Sequence, residues 1–145
     1  FRDCGNLKTL AIPAKMDMAE DAFLGCDSIQ ELAIYAAQDA RFLTGCLENL
    51  TRLSIIGEDY MCGYSASRPA PWSGTGVASI DIEEGVGKIG NYGFANCAAL
   101  EQLTLPKSLR YIGSYAFQGC ESLKTLTFTG SARPTVYSGA FAGAP

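Results

Sequence analysis

The sequence predicts a solenoid, one domain over residues 1–145 in which short coils stack on one another. Three observations lead there. A six-residue frame, apolar-x-x-apolar-x-apolar, occurs six times: Leu7-Leu10-Ile12, Ile29-Leu32-Ile34, Leu50-Leu53-Ile55, Val77-Ile80-Ile82, Leu100-Leu103-Leu105 and Leu123-Leu126-Phe128. The frames start 22, 21, 27, 23 and 23 residues apart, the period of a unit that makes one strand and returns. The text between the later frames also repeats, I-G-N-Y-G-F-A-N-C from Ile89 to Cys97 being answered by I-G-S-Y-A-F-Q-G-C from Ile112 to Cys120.

The last four residues of each frame alternate, so their marked side chains share one face of a strand. One such strand cannot bury that face alone. Stacked in parallel about 4.8 Å apart, the copies line up into continuous apolar columns. The residues between, Ala11, Ala33, Ser54, Asp81, Thr104 and Thr127, are small or polar, as an open sheet face requires. In the return half, Ile89 and Ile112 precede Gly90 and Gly113, expected as turns with φ > 0. Phe23, Phe94, Phe117 and Phe141 are expected to plug the core from the outer side, on a short helix or 3₁₀ turn. Longer helices are expected around Asp21-Ala-Phe-Leu and Gln38-Asp-Ala-Arg-Phe-Leu. Residues 56–76 break the pattern, and the spacing grows by only about four residues, so they form an irregular connection within the domain. Met61 and Trp72 are the candidates to cover the core there.

Cys4, Cys26, Cys97 and Cys120 each lie three residues before a frame and Cys46 four before, with Cys62 off phase. One cysteine per coil at constant phase reads as a ladder of free, buried thiols. Parallel neighbours about 4.8 Å apart exceed the Cβ separation of about 3.8 Å that a disulfide prefers.

Bulk properties exclude several functions. A net charge of −4 and a pI near 4.7 oppose nucleic-acid binding, which needs a basic surface. No apolar run approaches the roughly 20 residues of a membrane helix. There is no histidine, which removes the commonest general base and metal ligand. No catalytic, cofactor-binding or metal-binding residue is therefore assigned.

Local motifs reduce to the repeat. Gly85-Val-Gly-Lys-Ile-Gly90 matches G-x-G-x-x-G, but a dinucleotide site needs a full helix after it, and Gly90 aligns with the turn residue Gly113. Glu83-Glu84 and Glu58-Asp59 read as solvated edges, since neighbours on a strand point to opposite faces. Asn49-Leu-Thr51 matches a glycosylation sequon by chance, because Leu50 belongs to a core frame. Asp81 is expected alone on the open face, between Ser54 and Thr104. Tyr60, Tyr64, Arg68 and Trp72 are the residue types of interface hot spots. They either contact a partner or refill the gap left by a missing Phe.

Leu100-x-x-Leu-x-Leu-Pro106, followed by Leu109-x-x-Ile112-Gly-x-x-Ala116-Phe117-x-Gly119-Cys120-x-x-Leu123, resembles the BspA-like leucine-rich repeat. The match is close over 77–142 and looser back to Phe1. It departs at 56–76 and at Ala144, where the family has cysteine. The resemblance implies an α/β leucine-rich repeat solenoid winding as a right-handed superhelix. Six parallel strands would form a concave sheet, with short helices, 3₁₀ turns and short strands outside. It also implies an exported or surface-anchored bacterial protein used for adhesion. Phe1-Arg-Asp-Cys4 and Phe141-Ala-Gly-Ala144 share one phase, so both ends are expected to be cut from a longer chain.

The expected function is a non-catalytic binding module, recognising a host-matrix or other cell-surface protein, with a glycan as the alternative ligand. Arg52, Asp81 and Glu101 on the open face, with Tyr60, Tyr64, Arg68 and Trp72 in the irregular connection, are the expected contacts. The competing expectation is a structural spacer that displays another domain.

Overall fold

The computed structural model describes residues 1–58 and 60–145. Asp59, and with it the Glu58-Asp59 pair, lies outside the described residues. In chain order the strands are β1 (Thr9–Ile12), β2 (Glu31–Tyr35), β3 (Arg52–Ile56), β4 (Ser79–Ile82), β5 (Lys88–Ile89), β6 (Gln102–Leu105), β7 (Tyr111–Ile112), β8 (Thr125–Phe128) and β9 (Thr135–Val136). They form two parallel sheets, one ordered β1-β2-β3-β4-β6-β8 and a smaller one ordered β5-β7-β9.

Every repeat frame supplies one strand of the large sheet, and the register runs without a slip. Leu10, Leu32, Leu53, Ile80, Leu103 and Leu126 stand in one row. A one-residue slip would turn the whole apolar set outward, so burial of this row fixes the stacking. Leu32, Leu53, Ile80 and Leu103 are buried, while Leu10 and Leu126, on the two edge strands, are partly covered. Ile89 and Ile112 are buried beneath the small sheet.

Rings close the outer side. Phe1–Phe23, Phe23–Phe42, Phe94–Phe117 and Phe117–Phe141 have centroids 5.2, 5.8, 5.4 and 5.2 Å apart. Trp72 joins the column 6.4 Å from Phe94. Met61 and Trp72 are both buried and cover the core of the irregular coil, as expected. The thiols tie neighbouring coils together. Cys26, Cys46 and Cys120 donate to the carbonyls of Phe1, Phe23 and Phe94, each in the preceding coil, at 2.8, 3.1 and 3.3 Å. All six cysteines are free, and Cys26, Cys46, Cys97 and Cys120 are buried. Cys4 departs from the expected ladder: it is exposed.

Three expectations are corrected. No α-helix forms among the described residues; a 3₁₀ helix at Arg41–Leu43 is the single helical element there, so the architecture is a parallel β-solenoid and not α/β. The cause lies in where the outer N–H groups go. Phe94 and Phe117 donate to the carbonyls of Ala116 and Ala140 in the next coil, at 2.8 and 2.7 Å, and these bonds compete with the local bonds of a helix. The longer helix expected around Asp21 is a run of turns, and the one expected around Gln38 is reduced to the 3₁₀ helix Arg41–Leu43. Finally, Gly90 and Gly113 are not among the residues with positive φ. They are glycines because coils touch there. A Cβ would lie 2.7 Å from Gly63 Cα at the first and 2.6 Å from the Asn91 nitrogen at the second.

Leu103→Asp should cost more than about 3 kcal/mol in urea unfolding, since it buries an unpaired charge. Thr104→Asp, one residue along on the open face, should cost under about 1 kcal/mol; equal costs would reverse the two faces. The thiols give a pH signature. Burial pushes Cys120 up from 9.0 to about 11 and raises Cys97 as well. The fold therefore favours the protonated thiols. The Cys120 contribution is full below about pH 9 and is lost as pH climbs through about 11, with the loss from Cys97 beginning over the same interval. The melting temperature should fall across that interval, and fall less in a Cys97→Ala/Cys120→Ala double variant.

Candidate functional site

The large sheet leaves one face open. Two adjacent columns stand on it, Thr9-Glu31-Arg52-Ser79-Gln102-Thr125 and Ala11-Ala33-Ser54-Asp81-Thr104-Thr127. The first column is exposed throughout. Strand alternation dictates this, since the partner residues of the same strands fill the core. Asp81 takes its expected place between Ser54 and Thr104, but it does not stand alone. Arg52 reaches across from the next column, Nε to Oδ2 at 3.2 Å. Glu101 likewise meets Lys124, Oε1 to Nζ at 3.3 Å. Both pairs are more than half exposed, so each adds little stability. The face thus combines polar groups with both signs of charge.

The four residues from the irregular connection separate. Trp72 is 1% exposed, and its Nε1–H donates to the Gly93 carbonyl at 2.8 Å. Tyr64 is buried edge-on against it, centroids 5.7 Å apart, and its hydroxyl accepts the Ala40 N–H at 3.3 Å. Neither side chain offers contact surface: of the two readings, these aromatics refill the core. Tyr60 is exposed and bridges to Lys88 beside the small sheet. Arg68 is exposed at the base of a tight turn, its N–H bonded to the Ser65 carbonyl and hydroxyl at 3.2 and 3.1 Å.

Arg68 also lines two clefts on the outer side. One, about 590 Å³, has Arg41, Thr44, Gly45, Glu48 and Ser73 among its walls. The other, about 710 Å³, reaches Lys15, Gln38, Asp39 and Cys62. Arg41 is held by Asp39, its Nε lying 2.9 and 2.8 Å from the two carboxylate oxygens. The hydrogen bond from Arg41 lowers Asp39 below its usual value. Burial raises the Cys62 thiol, which leaves it a weak nucleophile. Sequence reasoning did not find these clefts. Their one signal was the 27-residue step between the third and fourth frames.

A parallel stack of leucine-lined coils with a polar open face defines a leucine-rich repeat protein. More narrowly, the chain belongs to the BspA type leucine rich repeat region family, whose model matches it in six copies over residues 1–57 and 72–144. The unmatched stretch, 58–71, falls within the irregular connection and contains Tyr60, Tyr64 and Arg68. Among curated protein sequences none matches. Similar solved structures include a leucine-rich repeat protein from Bacteroides ovatus, 21% identical with a TM-score of 0.66. The pneumococcal vaccine antigen PcpA is another, 20% identical with a TM-score of 0.51. Each match covers 94% of this chain, which spans 35% and 32% of those two proteins. Among the described residues no helix is long and apolar enough to cross a membrane.

Truncating Trp72 to Ala should cost about 3–5 kcal/mol in chemical unfolding, whereas Arg68→Ala should stay within about 0.5 kcal/mol. Similar costs would place Trp72 on the surface.

Proposed function

We propose that the chain is a non-catalytic protein-recognition module of an exported or surface-displayed bacterial protein, and that the open face of its large sheet is the principal contact surface. The observation that carries this is the six-strand register, which sets two columns of small, polar and charged side chains side by side on one uninterrupted face. A broad face of this kind suits a macromolecule better than a small substrate. The mixed charge around Arg52, Asp81 and Glu101 gives specificity through matched pairs and little long-range steering. Membership of the repeat family supports both the protein-binding role and the surface location. A host-matrix or cell-surface protein is the favoured partner, a glycan the second choice. The spacer reading keeps one point in its favour: the exposed ion pairs Arg52–Asp81 and Lys124–Glu101 already satisfy one another.

Immobilised in many copies, the chain should capture a host-matrix protein, and the triple variant Arg52→Ala/Asp81→Ala/Glu101→Ala should weaken capture about tenfold. Undiminished capture by the variant would move the contact off the sheet. No capture by either would favour the spacer.

A further inference from the structure

The coils carrying β3 and β4 are in unbroken register on the sheet side, Arg52 opposite Ser79 and Leu53 opposite Ile80. On the outer side the same two coils are joined by the bonds from the Cys62 N–H to the Ala36 carbonyl at 2.9 Å and from the Ala40 N–H to the Tyr64 hydroxyl at 3.3 Å, and they part near Gly45. In three coils the residue before the cysteine position bonds to the next coil: the N–H groups of Asp3, Asn96 and Gly119 donate to the carbonyls of Leu24, Gln118 and Ala142 at 2.6, 2.6 and 2.9 Å, while Gly25 in the coil of β2 makes no such bond among the described residues. Gly45 holds this position in the coil of β3, and among the described residues its N–H meets no carbonyl of the next coil, nor does the Ser73 carbonyl receive one. A second observation agrees. In this left-handed conformation a Cβ points at the preceding coil, and at Gly119 it would lie 2.6 Å from Asn96 Oδ1. At Gly74, with φ of +76°, and at Gly45, with φ of +83°, it would meet nothing within 4 Å. Gly45 and Gly74 line the two sides of the 590 Å³ cleft. The cleft is a seam where this backbone bond is absent and where, among the described residues, neither a Phe–Phe contact nor a cysteine–carbonyl bond stands in for it, as Phe23–Phe42 and Cys46–Phe23 do at the join before.

We propose that this seam binds an extended peptide segment of a partner protein, with a carboxylate side chain taken by Arg68. The unmatched Gly45 N–H and Ser73 carbonyl supply the donor and acceptor that an added extended backbone uses. The charge is also particular to the seam. In a chain of net charge −4, its walls carry two guanidinium groups, Arg41 and Arg68, against one carboxylate, Glu48. Arg41 is already committed to Asp39. Arg68 makes no ion pair among the described residues, and its guanidinium suits bidentate binding of a carboxylate. It is also positioned. The Ser65–Arg68 bridge anchors it on one side, and on the other Pro69 and Pro71, with Ala70 buried between them, stiffen the chain. An acidic saccharide would satisfy Arg68 but leaves the paired backbone donor and acceptor unexplained.

Random heptapeptides displayed on phage, selected on the intact chain, test this. Selected peptides should carry an Asp or Glu at a fixed position and shift the amide resonances of Gly45, Ser73 and Gly74. Arg68→Gln should weaken them about tenfold, while Arg52→Ala on the open sheet face should leave them unchanged. The proposal is overturned by selection of nothing, by peptides lacking the carboxylate, by equal affinity for Arg68→Gln, or by shifts confined to the sheet face. It is overturned equally if oligogalacturonate shifts the same amides and outcompetes every selected peptide, which would assign the seam to acidic saccharides.

Discussion

No coil of this protein can bury its own apolar strand face; each needs the coil beside it. That shared burial holds the row from Leu10 to Leu126 in register. Once the row is set, strand alternation decides what lies on the open face. The outer half must then span a fixed distance and return. Rings and thiols at constant phase fill the interior it encloses, and each Cys–Phe carbonyl bond links one coil to the coil before it.

The sheet was legible in the sequence because its two periods, two along the strand and about 22 between strands, are both written in side chains. The outer half was less so. The segment around Phe117 looks like a short helix when read alone, since nothing local reveals that the Phe117 N–H is claimed by Ala140 of the next coil. Gly90 and Gly113 were read as turns with positive φ, which they are not: a close approach by another coil leaves no mark in local sequence, whereas turn chemistry does. Trp72 was legible only as one of two readings, core cover or partner contact, because the irregular coil lacks the Phe text that would have fixed its phase.

The contact surface was legible in part. Alternation alone placed Arg52 and Asp81 on the same face. Their ion pair depends on a diagonal reach between neighbouring strands, which no linear pattern states. Tyr64 and Arg68 sit four residues apart and have opposite fates, one buried and one exposed. The tight turn at Ser65–Arg68 separates them, and composition gives no hint of it.

The parted seam has a thermodynamic consequence. In a stack where each unit touches only its neighbours, cooperativity is transmitted interface by interface, and the weakest interface sets where transmission fails. Between β3 and β4 the sheet bonds persist while the outer bond near Gly45 and the Phe-column contact are missing; Tyr64, wedged between Ala40 and Trp72, and the Cys62 N–H on the Ala36 carbonyl are the outer ties that remain. The outer wall at this join is therefore expected to open before the sheet beneath it.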